Sequence, residues 1–337
     1  MYDYDLFRLN PGESQWENYV QHTGDFNIVN GQGYLFATQE DKNLVFSGIF
    51  NTSNEKIIEN LPVGFNLVGN PFVVNAYVDK PYYILNNDGS AILTDVQAIA
   101  TPIPPCYGVI VEVEGSEDVT FRTEAPAAST GNNGSLQMTL TKAGTRDAST
   151  GSATVLDKAA VSFDNGIRLG KFYFGDTKAS IYIPKDNNDY AIAFSDMTGE
   201  VPLNFKTNET GRYTIGFNFE NVKGVRIQLI DKIENKIIDL NKDVSENVST
   251  YTFMGSSVDR SDRFTLVFTQ VETDGVFAYQ SGNDIIVSGE GELQVFDVMG
   301  RMVMNQRING VQTVEKPSVT GVYIFRLNGM SQKIVVK

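Results

Sequence analysis

Three residue types that carry much of protein chemistry are nearly missing from this chain of 337 residues. It has one histidine (His22), one cysteine (Cys106) and one tryptophan (Trp16). A single cysteine excludes a disulfide within the chain. One cysteine with one histidine excludes Cys/His zinc sites and any mechanism that needs two imidazoles. Positive charge is also scarce: 27 Lys and Arg stand against 41 Asp and Glu, for a formal net charge of −14. Nucleic acids and anionic lipid surfaces are both held by clustered Lys and Arg, so neither is expected as a partner. Long apolar runs are missing too. The longest, such as residues 72–78, are interrupted and fall far short of the ~20 residues a spanning helix needs, so no membrane insertion is expected. No Walker loop, dinucleotide fingerprint or zinc spacing occurs. After Met1 come Tyr2, Asp3, Tyr4 and Asp5, without the basic and apolar stretches of a signal peptide. Two readings follow: a cytosolic protein, or a fragment cut from the C-terminal side of a larger exported chain.

What the chain does contain is enough apolar material to build cores, 41% hydrophobic residues of which many are aromatic. The dominant hydrophobic period is two. Leu136, Met138 and Leu140 alternate with Gln137, Thr139 and Thr141; Tyr213, Ile215, Phe217 and Phe219 alternate with Thr214, Gly216 and Asn218; Val225, Ile227 and Leu229 alternate with Arg226 and Gln228. Alternation of this kind marks strands with one face buried and one wet. The runs are short and divided by Asn/Asp/Gly clusters at 86–89, 186–189, 208–211 and 289–291. Short strands with regular turn signals predict an all-β protein of tandem antiparallel β-sandwich domains, Ig-like or jelly-roll-like. The best helix candidate, residues 95–100, is stopped by Pro102, Pro104 and Pro105.

Composition sets the expected boundaries. Residues 125–134 (APAASTGNNG) have no strand pattern and read as a linker, and a second break falls near residues 272–275. This predicts an acidic β-rich N-terminal domain over 1–134, a middle β-sandwich domain over 135–270, and a small C-terminal β-sandwich domain over 271–337. Charge is shared unevenly among them. Residues 1–134 hold 17 acids and 5 bases, net −12, while residues 135–270 (17 and 16) and 271–337 (7 and 6) are each at −1.

Two C-terminal segments stand out. Residues 293–303 (LQVFDVMGRMV) read as a strand, a turn in which Gly300 is free to take positive φ, and a return strand. Residues 321–337 (GVYIFRLNGMSQKIVVK) read as two strands joined at Asn328-Gly329, a strong hairpin signal. The combination of Asp297, Gly300 and Arg301 with Gly321, Tyr323 and the terminal basic Lys337 closely resembles the C-terminal sorting domain of Bacteroidetes cell-surface proteins, the signal for type IX secretion. The resemblance covers roughly residues 276–337. It implies an Ig-like β-sandwich recognised by the outer-membrane export and attachment machinery, and often removed when the protein reaches the surface. Residues 157–166, 201–205, 213–217 and 225–231, and 251–253 with 263–268, are similar to the β-sandwich that commonly precedes such a domain. Residues 33–37, 44–50 and 65–72 resemble a further upstream β unit, which usually carries Trp where Phe65 stands. No biochemical activity comes with either upstream resemblance.

Other residues have candidate chemistry of their own. His22 has no motif around it and reads as a surface or loop histidine; Cys106 reads as a buried or half-buried structural thiol. Glu112 and Glu114 share one face of the strand over residues 109–113, opposite Val109, Val111 and Val113, which reads as a solvated outer face. Adding Glu117 and Asp118 gives an acidic patch whose oxygens suit Ca²⁺. Trp16, Tyr34, Tyr82 and Tyr83 are candidates for stacking on sugar rings, against the alternative of ordinary core packing. The expected function is that of a non-enzymatic C-terminal region of an exported bacterial surface protein, extracellular or on the outer-membrane surface. The alternative is a module binding surface glycans or host proteins through its N-terminal unit.

Overall fold

The computed structural model describes residues 4–10, 15–21, 27–43, 45, 47–85, 92–95, 98–126, 134–146, 151–164, 166–173, 177–222, 225–240, 248–270, 277–281 and 284–336. His22, Lys337 and most of the expected linker lie outside the described residues. The protein is all-β, built of sheets whose strand pairs are mostly antiparallel, with no α-helix among the described residues. Of the expected helix at 95–100, the described helical part is one 3-10 turn, Ala98–Ala100, just ahead of the prolines that block extension. No helix among the described residues is long and apolar enough to cross a membrane. The chain divides into two compact units, Met1–Gln270 and Val271–Lys337.

In the first unit, residues 1–134 contribute β1 (Tyr4–Asn10), β2 (Gln15–Asn18), β3 (Leu35–Thr38), β4 (Glu55–Leu61), β5 (Gly64–Gly69), β6 (Tyr77–Val78), β7 (Tyr82–Leu85), β8 (Ile92–Thr94), β9 (Gly108–Val113) and β10 (Glu117–Arg122). They form three small sheets, in the orders β2-β1-β3, β4-β10-β6 and β5-β9-β7-β8. Val111, Val113, Val119 and Phe121 lie in a core between the last two.

Residues 135–270 contribute β11 (Ser135–Arg146), β12 (Ala153–Ser162), β13 (Leu169–Gly170), β14 (Ala179–Lys185), β15 (Asn188–Phe194), β16 (Gly199–Thr207), β17 (Gly211–Glu220), β18 (Val225–Asp231), β19 (Lys236–Asp239), β20 (Val248–Gly255) and β21 (Phe264–Gln270). They make one continuous hydrogen-bonded path, β19-β18-β21-β16-β14-β15-β12-β11-β17-β20, with β13 beside β15. The link between its halves is the parallel pair β12–β15, at Ala160↔Ile192. The path curls on itself: Phe217 of β17 and Leu140 of β11 share a core with Phe205 of β16, Leu229 of β18 and Phe268 of β21. Period-two alternation explains why, since one face of β17 is apolar from Tyr213 on and one face of β18 is apolar from Val225 to Leu229, and both must be covered.

The second unit holds β22 (Ala278–Ser281), β23 (Asp284–Asp297), β24 (Met302–Glu315), β25 (Gly321–Leu327) and β26 (Met330–Val336). Strand β24 pairs along almost all of one edge of β23, while the other edge is shared: β22 pairs with its first residues and β25 with its last. The change of partner falls at Gly289 and Gly291, at φ 146° and 129°. A Cβ on Gly289 would stand 2.8 Å from a Leu327 methyl, so Leu327 seats directly on bare backbone there. Gln332 of β26 reaches the other end of the unit, accepting from the N–H groups of Phe277 and Ala278 at 2.8 and 2.9 Å. Phe325, Leu293, Val295 and Ile285 form the core between. The Asn328-Gly329 hairpin is present as read, both residues at positive φ, 52° and 82°.

Candidate functional site

In the second unit the β23–β24 turn has a hydrogen-bond set of its own. Asp297 organises it alone. Its Oδ1 accepts the backbone N–H groups of Met299 and Arg301, each at 2.9 Å, and its Oδ2 accepts Arg301 Nε at 2.7 Å. The backbone closes the same loop, with Gly300 N–H donating to the Asp297 carbonyl at 3.0 Å. Gly300 sits at φ 79°, the left-handed region where a side chain is strained. The Arg301 N–H, the Arg301 guanidinium and the Met299 N–H hold the Asp297 carboxyl below the usual carboxylate range. What the turn displays is apolar and basic: Val298 and Met299 are 75% and 77% exposed, and the Arg301 side chain 77%.

Tyr323 stands opposite Asp297 across β23 and β25. Its ring is buried, and its hydroxyl donates to the Val319 carbonyl, four residues back, at 2.8 Å. Gly321 opens the same strand. Tyr213 repeats the arrangement in the first unit: β17 opens Gly211-Arg212-Tyr213, and the Tyr213 hydroxyl reaches the Glu209 carbonyl, again four residues back, at 2.9 Å. The shared Gly-x-Tyr spelling is a signal that could have located this second corner from sequence. Of the six sorting-motif residues, Asp297, Gly300, Arg301 and Tyr323 thus meet at one end of β23. Gly321 lies two residues from Tyr323, and Lys337 lies outside the described residues.

The other candidate sites are redrawn. Tyr82 and Tyr83 are 4% and 1% exposed, so neither ring has a face for a sugar. The Tyr82 hydroxyl donates to the Thr101 carbonyl; the Tyr83 hydroxyl donates to Gly170 O at 2.5 Å and accepts Phe172 N–H at 3.1 Å. Trp16 sits elsewhere, on β2 across from Leu9. The Tyr34 hydroxyl is engaged by its own loop, accepting Val29 N–H at 2.9 Å. The four rings form no common platform.

The acidic patch does not converge either. Glu112 accepts the Gly170 N–H, Glu114 pairs with Arg168 at 2.5 Å, Glu117 pairs with Lys80, and Asp118 accepts the Asn60 N–H at 2.9 Å. Each carboxylate has its own partner, and among the described residues no three Asp, Glu, His or Cys side chains are grouped to hold a metal. The expectation that Glu112 faces solvent is also corrected. Its side of β9 carries buried Ile110, which packs in one cluster with Tyr83, Leu169 and Ile192. Burial pushes the Glu112 carboxyl up, and the Gly170 N–H only partly offsets it. Both faces of β9 are therefore covered, one by the N-terminal core and one by residues of the middle region. Cys106, read as buried, is exposed at φ 64° in the turn before β9.

Tyr83 ties these regions together through its hydroxyl. Removing only its hydroxyl leaves the Gly170 carbonyl and the Phe172 N–H unpaired in a dry site. Tyr83→Phe is expected to cost about 1–3 kcal/mol, read as a lower denaturant midpoint at unchanged slope.

Two buried ion pairs escaped sequence reading. Asp231 and Arg263 are 0% and 1% exposed, joined at 2.7 Å. Asp157 and Lys171 are 7% and 2% exposed, joined at 2.6 Å. Charged residues normally read as surface, and nothing in local spacing marks partners 32 and 14 positions apart. No protein-family model matches the chain, and no curated protein matches it.

Proposed function

We propose that this chain is a non-enzymatic region of an exported bacterial surface protein, with residues 271–337 as the sorting and attachment signal and the preceding β regions as structural or adhesive modules. The observation that carries the reading is the β23–β24 turn. Asp297, Gly300 and Arg301 hold a rigid loop by hydrogen bonds and an ion pair, so Val298, Met299 and Arg301 project in one fixed arrangement. An apolar and basic projection on a fixed loop suits recognition by another protein, because little loop freedom is left to lose on docking. The fold reading for this unit is an Ig-like sandwich. It is supported by the Tyr323 corner, a hydroxyl tied to backbone a few residues upstream at the start of a strand, a hallmark of that architecture. The recognising partner is the outer-membrane export and attachment machinery, and the location is the outer-membrane surface or beyond.

The test is a fusion of residues 271–337 to an exported reporter in a host with type IX secretion. Surface display is expected; retention in the periplasm overturns the reading. Asp297→Ala in the same fusion should lower display several-fold while the far-ultraviolet circular dichroism of the isolated protein stays unchanged. Full display from that variant would separate sorting from the turn.

A further inference from the structure

The Asp157–Lys171 pair is built more closely than an ion pair requires. Asp157 lies on β12, and Lys171 directly follows β13; both strands pair with β15. Lys171 Nζ stands 2.6 Å from each carboxylate oxygen of Asp157. Both side chains are withdrawn from water. Two backbone donors fix the carboxylate: Lys158 N–H reaches Oδ1 at 2.9 Å and Ile181 N–H reaches Oδ2 at 2.8 Å. The backbone that carries the ammonium is itself fixed, the Lys171 N–H donating to the Asp189 carbonyl at 2.7 Å. A nucleophile and an acyl carbon are thus kept in contact, with hydrogen-bond donors on the oxygens where charge grows as the carbon is attacked.

We propose that Lys171 and Asp157 condense into an intramolecular amide that covalently ties β12 to the segment after β13. The ammonium first passes one proton to the carboxylate, leaving an amine and a carboxylic acid. Nζ then adds to Cγ, forming the C–N bond. The C–O bond to the protonated oxygen breaks, and that oxygen leaves as water with a second proton from the nitrogen. Nothing is oxidised or reduced, and no further reagent is consumed.

The burial that makes the ion pair costly favours this step. Two opposite charges held away from water lose their hydration, whereas an amide carries no net charge and keeps one carbonyl oxygen, with one of the two backbone N–H donors still on it. Burial also pushes the Asp157 carboxyl up, against the pull of Lys171 and the backbone donors, which favours the uncharged acid that the reaction passes through. The phenols of Tyr83 and Tyr173 feel the Asp157 charge and are themselves raised by burial, so they stay protonated beside it. Tyr173 donates to Asp189 Oδ2 at 3.1 Å, which places a phenol–carboxylate pair next to the site of proton exchange.

The experiment is the intact mass of the purified full chain, followed by proteolysis and sequencing of linked peptides. The expected result is a chain lighter than its sequence by one water, with residues 157 and 171 recovered in one branched peptide. Lys171→Arg should run at full sequence mass, since its guanidinium does not condense. Asp157→Asn should reach the same final mass as the wild type, losing ammonia in place of water. A wild-type chain at full sequence mass overturns the proposal. So does a water loss that maps elsewhere, as to a cyclised Asp88-Gly89.

Discussion

Arg263→Ala should cost the first unit about 3–5 kcal/mol, because it leaves the Asp231 carboxylate charged and dry. The guanidinium is the hub of its surroundings. It donates to both Asp231 oxygens at 2.7–3.1 Å and to the Met254 carbonyl at 2.6 Å, and it lies over the rings of Phe253 and Phe264 at 4.5 and 5.1 Å. Asp231 in turn accepts the Tyr251 hydroxyl and the N–H groups of Ile233 and Glu234. Burial alone would push the Asp231 carboxyl up, but Arg263, the Glu234 N–H and Tyr251 together hold it below the usual carboxylate range. A depressed carboxylate contributes stability that is present above its unfolded value, near 4, and lost as pH falls through the folded value. Denaturant midpoints measured from pH 7 downward should therefore fall for the wild type in the acid range. Arg263→Ala should start far lower at pH 7 and lose that acid-side drop. The double replacement Asp231→Leu with Arg263→Met removes both charges and should recover most of the loss. An Arg263→Ala midpoint within error of the wild type would show that the pair adds nothing.

Phe325→Ala should unfold the second unit and leave the first intact. Phe325 is fully buried at the centre of a core drawn from only 67 residues, Val271–Lys337. A unit of that size holds a margin of roughly 3–5 kcal/mol, and truncating a core phenylalanine removes about the same amount. The readout can be split by position. Trp16 belongs to the first unit, so its fluorescence should not move, while amides of β25 and β26 should lose protection against hydrogen exchange. Protection that survives in β25 would mean a larger margin than size alone predicts. In the reporter fusion, the same variant should abolish display.

The elements most visible in the sequence were those whose signal is local. Alternation in β17 and β18 follows from one wet and one dry face, and the residues read as buried there are buried. The Asn328-Gly329 turn needs two positive φ values, and those two residues supply them at little cost. Asp297 and Arg301 find each other because they are four residues apart. What the sequence hid depends on the other side of a contact. On β9, Ile110 and Glu112 alternate with the core valines just as a wet face would. Only the arrival of Leu169 and Gly170 over them makes that face dry. Tyr82 and Tyr83 look like a binding pair for the same reason: adjacent rings in a strand point to opposite faces, and here both faces are covered.

The fork in β23 has a mechanical side. Strand β26 is bonded along one edge, to β25, and the register pairs Gly321 with Val336 at the end away from the Asn328-Gly329 turn. Tension between whatever precedes Gly321 and whatever follows Val336 would pull on both strands at that same end. Ladder bonds between antiparallel strands lie across the strands, so such a load meets them one at a time. The hairpin would peel like a zipper toward its turn at low force, and the first brake beyond the ladder is Gln332, clasped to the backbone of Phe277 and Ala278.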